Sequence, residues 1–193
     1  MSLKKDNILI VGAGNMGSAF MLALLDGNIN SKKINIIENK PNLKLRKICK
    51  LKKINLIKTI DKLDIKTKIS ITLLAIKPNQ LSDIFTLDFN SRTKNSILIS
   101  IVAGKTIETL RKISNNNRDI ARAMTNTPVT VGWGTSVVYF SKTTTRLNKD
   151  KANYLLELVG KVDEVKNEKY IDSFTGLFGS GPAYLYLLIE IWS

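Results

Sequence analysis

Short β-branched runs recur along the chain, each closed by a glycine, a charge or a proline, with helix-spaced apolar residues between them. "NILIV" (7–11) ends in glycine and reads as a buried parallel strand, since a strand covered on both faces shows no polar alternation. Met16 to Asp26 reads as a helix with Met16, Phe20, Ala23 and Leu24 on one face, and Gly27 stands as its C-terminal cap. "INII" (34–37) gives a second strand ending at Glu38, and the basic amphipathic stretch Leu43 to Lys53 gives the next helix. "ISITLLAI" (69–76) and "SILISIVAG" (96–104) look like central strands, the first ended by Lys77-Pro78 and the second by Gly104. Between them "PNQLSDIFTLDF" is a weak helix whose buried positions would be Leu81, Ile84, Phe85 and Leu87. "TIETLRKIS" (106–114) is a short helix with Thr106 at the cap and Glu108 in the first turn, where the helix dipole favours negative charge. "NNNRD" (115–119) is a polar loop. "IARAM" and "TSVVYFS" (135–141) are further strands, and "KANYLLELVGKV" (151–162) is an amphipathic helix.

Strand and helix alternating in this order predict an α/β fold with a doubly wound, mostly parallel Rossmann-type sheet. No internal repeat or low-complexity linker interrupts it. The character changes at "IDSFTGLFGSGPAYLYLLIEIWS", where a Gly/Ser turn leads into Pro182 at a first helical position and then an apolar run. A helix so apolar must pack on something. Exposed Tyr184, Leu185, Leu188, Ile191 and Trp192 would make the isolated chain associate. The expected division is therefore an α/β domain over residues 1–165 and the start of a separate, helical part over 166–193.

Composition narrows the function. At 193 residues, with 44% hydrophobic and 24% charged, the chain suits a globular protein of one domain or one and a fragment. No run has the length of a membrane span, and "MSLKKDNILIVGAG" has no small-residue cleavage site, so the chain is expected to start near Met1, in the cytoplasm. One cysteine, Cys49, excludes an intrachain disulfide. The absence of histidine argues against a zinc site and excludes a histidine base from this chain. The net charge of +14 favours anionic ligands, but its lysines are spread among many Asn and Ile residues, the pattern an A/T-biased genome produces. No aromatic-interleaved basic stripe is present, so nucleic acid is not expected as a partner, nor is a membrane.

The chemistry starts at "VGAGNMGSA", whose glycines at 12, 14 and 17 have the G-x-G-x-x-G spacing. Gly12 permits the tight turn off the strand, Gly14 lets backbone approach a pyrophosphate, and Gly17 lets the helix lie close on the strand. Free N–H groups at the helix start then face the anion. Glu38, at the next strand end, can accept both ribose hydroxyls of NAD and repel the 2′-phosphate of NADP, although Lys40 offsets that, so the choice stays open. Lys77 follows a strand on the carboxyl edge and suits a ribose or phosphate contact. Ala103 and Gly104 offer small residues where a flat ring approaches backbone. "RAMTNTP" fixes Asn126 and Thr127 before Pro128, a rigid turn able to orient an amide or carboxylate.

"VGAGNMG", "LAIKP", "SIVAGKTIETL", "ARAMTNTPVTVGWGTSV" and "IDSFTGLFGSGPAY" together resemble the pyrroline-5-carboxylate reductase family. The resemblance implies reduction of 1-pyrroline-5-carboxylate to L-proline by hydride transfer from NADPH or NADH. It implies cofactor contacts at Val11, Gly12, Ala13, Gly14, Asn15 and Met16, and an adenosine ribose bordered by Glu38, Asn39 and Lys40. Ala75, Ile76, Lys77 and Pro78 would run along the cofactor, with Val102, Ala103 and Gly104 near the nicotinamide, and Glu168 matches a position near the cofactor in some family members. Asn126, Thr127, Gly179 and Ser180 would shape the substrate pocket. Phe178 departs from the family pattern, which has a serine there. Family members continue past this chain as a helical domain that forms a homo-oligomer and supplies much of the substrate site, so catalytic groups are expected largely there. Two alternatives accompany this reading: a nucleotide-binding remnant without turnover, and another NAD(P)-dependent reductase on the same fold.

Overall fold

Ile8, Leu9, Ile10 and Val11 are wholly shielded from water, which places strand β1 (Asn7–Val11) at the centre of the sheet. Its side chains divide by parity. Ile8 and Ile10 enter one core with Phe20, Leu24, Cys49 and Leu155, while Leu9 and Val11 enter a second with Leu81, Phe89 and Leu110. A strand with two apolar faces needs helices on both sides, and the chain supplies them. The computed structural model describes residues 3–114 and 119–192, so most of the polar loop expected at 115–119 lies outside the described residues. Asp119 lies within them and accepts from Thr145 and Asn148.

The sheet has eight strands in the order β3-β2-β1-β4-β5-β6-β7-β8. They are β2 (Ile34–Ile37), β3 (Asn55–Ile57), β4 (Ile69–Leu74), β5 (Ile97–Ser100), β6 (Ile120–Thr125), β7 (Gly134–Phe140) and β8 (Gly160–Glu164). All neighbours pair in parallel except β6 and β7. The β6–β7 link, a short 3₁₀ segment at Thr127–Val131, is too brief for a crossover helix and forces the antiparallel turn. Because β1 is flanked by β2 on one side and β4 on the other, the connections diverge there and open a crevice at the strands' carboxyl ends.

Helix α1 (Asn15–Asp26) buries Gly17, Phe20, Met21 and Leu24, with Met16 and Ala23 only half-buried. Gly27 does close α1, but with φ −74°, and the left-handed residue is Asn28. A Cβ at Gly27 would press on Leu158, so glycine serves packing there. Helix α2 (Leu43–Lys52) is capped by Asn42, whose Oδ1 accepts from the Leu45 N–H at 2.8 Å, and it turns its lysines outward while burying Leu45 and Cys49. Burial pushes the Cys49 thiol up and keeps it protonated and unreactive at neutral pH.

Four expectations require correction. The segment after Pro78 is not one helix: Thr86 accepts from the Phe89 N–H and restarts the chain, giving α3 (Leu81–Ile84) and α4 (Leu87–Thr93). Leu87 is therefore exposed, and Phe89 takes the core position. Helix α5 (Ile107–Ile113) has Thr106 as its cap, as expected. The helix expected at 151–162 runs instead as α6 (Arg146–Glu157) and ends before Gly160, whose φ of +145° no helix accommodates and whose Cβ would collide with the carbonyl of Gly134. β8 follows from that glycine.

The Gly/Ser turn expected near the C-terminus is helical. α7 (Lys169–Phe174) passes through a wide helical segment at Thr175–Ser180 into α8 (Gly181–Trp192). Phe178 is partly exposed and stacks on Phe174 with ring centroids 4.8 Å apart. Tyr184, Leu185, Leu188, Ile191 and Trp192 are all exposed along α8.

Candidate functional site

The crevice is built first by the three glycines between β1 and α1. Gly12 has φ +88°, and a Cβ there would lie 2.6 Å from the Ala75 carbonyl oxygen, so β1 and the end of β4 approach as only glycine allows. A Cβ on Gly17 would collide with the carbonyl oxygen of Gly12, so α1 seats directly on the turn. Gly14 differs from both: its φ is −67°, and a Cβ on it would meet nothing within 4 Å. Its missing side chain leaves space open above the start of α1, where no side chain caps the helix and the first turn holds no acid. Unpaired N–H groups at such an end attract an anion.

Glu38 borders this space. Its Oε2 accepts from the Ala13 N–H at 2.9 Å and its Oε1 from the Lys40 N–H at 3.1 Å, so the carboxylate ties the glycine turn to the end of β2. A carboxylate has further lone pairs to offer a ligand hydroxyl. Opposite, Lys77 donates its N–H to Gln80 Oε1 at 3.1 Å and starts a 3₁₀ turn at Pro78.

These groups enclose a cleft of about 200 Å³ that brings together Val11, Gly12, Gly14, Glu38, Asn39, Ala75, Ile76 and Lys77. Ile37, Gln80, Asp83 and Ile84 also line it and were not anticipated from the sequence. A smaller adjoining space of about 100 Å³ shares Ile37, Asn39, Asp83 and Ile84 and reaches Phe89. Ala13 and Asn15 line a separate groove of about 330 Å³ between α1 and α2. Met16, Lys40 and Pro78 line none of the three.

Farther along the carboxyl edge, Val102 packs into the core, while Ala103 and Gly104 are exposed in the turn before α5, with Gly104 at φ +68°. Asn126 is half engaged: its Oδ1 accepts from the Thr135 N–H at 2.8 Å, which fixes the amide across the β6–β7 turn. Thr127 is exposed beside it. Gly179 lies over β6, where a Cβ would come within 2.8 Å of the Met124 methyl. Glu168 does not line the cleft; it bonds to Arg122 of β6 and to the Ile107 N–H. Among the described residues, no cluster of His, Cys, Asp and Glu could hold a metal ion, and no helix is long and apolar enough to cross a membrane.

A family model described as NADP oxidoreductase, coenzyme F420-dependent, matches residues 7–104, the span that forms both walls of this cleft. The pyrroline-5-carboxylate reductase of Haemophilus influenzae is 30% identical over 187 residues, covering 95% of the chain and 66% of that protein. The crystal structure of the Plasmodium falciparum pyrroline carboxylate reductase with NADP bound superposes with a TM-score of 0.81 at 25% identity, covering 98% of this chain and 68% of that one. The chain belongs to the pyrroline-5-carboxylate reductase family. Enzymes of this family depend on NAD(P). The pyrroline-5-carboxylate reductase of Glycine max is 35% identical over 129 residues, which is 66% of this chain and 46% of that protein. The chain thus spans about half to two thirds of the relatives it matches.

Proposed function

We propose that the chain supplies the dinucleotide-binding part of a pyrroline-5-carboxylate reductase, which reduces the C=N bond of 1-pyrroline-5-carboxylate to give L-proline. The observation that carries this reading is the contrast among the three glycines. Gly12 and Gly17 are closed by packing, whereas Gly14 opens on empty space at an uncapped helix end, as a pyrophosphate cradle requires. When bound, NAD(P)H supplies the hydride and thereby the difficult step.

The chain's own residues position the reactants. Gly14 and the first N–H groups of α1 receive the pyrophosphate, and Glu38 accepts ribose hydroxyls with the lone pairs left by Ala13 and Lys40. Ile37, Ile84 and Phe89 offer an apolar bed for the adenine. The other half of the cofactor runs toward Val102, Ala103 and Gly104. Asn126, held by Thr135, and the helical segment at Gly179 and Ser180 border the imine. No proton donor from this chain is needed if the imine arrives protonated. Residues 166–193 begin a helical domain through which copies associate, and the protein works in the cytoplasm.

The test is a fluorescence titration of the 193-residue chain with NADPH and NADH, imine-dependent oxidation in the same sample, and sedimentation at several concentrations. Saturable binding with turnover and concentration-dependent association supports the reading. Binding without turnover favours the nucleotide-binding remnant, and no binding of either coenzyme overturns the proposal. Glu38→Ser is expected to shift the NADPH-to-NADH affinity ratio toward NADPH by about tenfold, the size of one relieved like-charge contact near a protein surface. An unchanged ratio would remove Glu38 from the ribose site.

A further inference from the structure

Arg122 is a charged side chain only 3% exposed, and its guanidinium joins elements far apart in sequence. Its Nη1 lies 3.1 Å from Glu168 Oε1 and its Nη2 lies 2.6 Å from Asp172 Oδ1. Glu168 Oε1 also accepts the Ile107 N–H, the first of α5, at 2.8 Å. Three pieces of the carboxyl edge meet at this junction: strand β6, the turn between β5 and α5, and the start of α7. A buried arginine is costly unless its donors are matched, and a forked guanidinium fixes two carboxylates in direction as well as distance.

What the junction holds is specific. The turn before α5 carries Gly104 at φ +68°, and α7 continues into the segment whose Gly179 sits against Met124 of β6. The adenosine side is secured by other bonds: Glu38 to Ala13 and Lys40, and the Glu38 N–H to the Ile57 carbonyl. Arg122 makes none of them.

We infer that Arg122 is a positioning residue that acts through Glu168 and Asp172 to hold the Ile101–Thr106 turn and the α7–α8 helix in register around the hydride-transfer end of the cleft. This rests on the dinucleotide reading above. It also reassigns Glu168 from a cofactor contact to a strut beneath one.

The full chain carrying Arg122→Met is titrated with NADPH and, separately, with 2′,5′-ADP, which presents only the adenosine half. Hydrogen exchange over residues 101–107 is followed without ligand. The variant is expected to bind 2′,5′-ADP within twofold of the parent, to bind NADPH about tenfold more weakly, and to exchange faster over 101–107. Glu168→Gln keeps an acceptor for Ile107 and should fall between parent and Arg122→Met. If Arg122→Met does not fold, Glu168→Gln and Asp172→Asn carry the same comparison, since Asp172 is mostly exposed. Equal loss of both ligands shows a merely structural arginine and overturns the inference, as does unchanged exchange over 101–107. A parent chain that binds neither ligand overturns the dinucleotide reading instead, and the exchange measurement tells the two failures apart.

Discussion

Gly14→Val should leave the chain folded and weaken its affinity for NAD(P)H roughly 100-fold. The backbone at Gly14, φ −67° and ψ −159°, is extended with negative φ, so it does not demand glycine, and a Cβ there meets no atom within 4 Å. The fold loses only the N-cap preference for glycine over valine, about 1 kcal/mol, so the melting temperature should fall by no more than about 4 °C in a chain of this size. The space that the branched side chain fills is the space a pyrophosphate needs. Losing one or two charge-assisted hydrogen bonds, each about 1.5–3 kcal/mol, weakens binding roughly 100-fold. A thermal melt and a fluorescence titration read the two effects separately. If Gly14→Val binds NADPH as the parent does, the turn is not the cradle.

The glycine turn was legible in the sequence because each part of it is local: an apolar strand, three glycines at fixed spacing, and an acid at the next strand end. The same holds for α5, where Thr106 and Glu108 mark the helix start and the structure agrees. What escaped was less local. β3 is three residues long at the sheet edge and β8 is mostly exposed, so neither carries an apolar run. The lining at Gln80, Asp83 and Ile84 depends on where the chain restarts after Pro78, and that is decided by the Thr86 cap. The segment 151–162 reads as amphipathic helix until Gly160 is recognised as a left-handed position paired with Gly134. Glu168 could be placed near the site only by resemblance. Its partner Arg122 is 46 residues away, and a charge pairing at that distance leaves no periodicity to read.

The same three glycines separate two physical jobs, and the second is tested at Gly17. By helix propensity alone Gly17→Ala should stabilise α1 by about 1 kcal/mol, since glycine inside a helix exposes backbone and loses the most entropy. The geometry reverses the sign. The added Cβ would collide with the carbonyl oxygen of Gly12 and would sit 3.3 Å from the Ala75 methyl, and the first of these neighbours is backbone that no rotamer change can move. Relief requires α1 to lift from the turn, which disturbs Phe20, Met21 and Leu24 in the core. Overpacking of this kind costs up to about 3 kcal/mol or more when backbone must shift. For a chain of this size the melting temperature should fall by roughly 6–12 °C. The first N–H groups of α1 move away from the turn with the lifted helix, so NADPH affinity falls together with stability, unlike the clean separation expected at Gly14. A melting temperature at or above the parent's would mean that α1 does not rest on the turn, and the close strand-to-helix seat at the centre of the site would have to be abandoned.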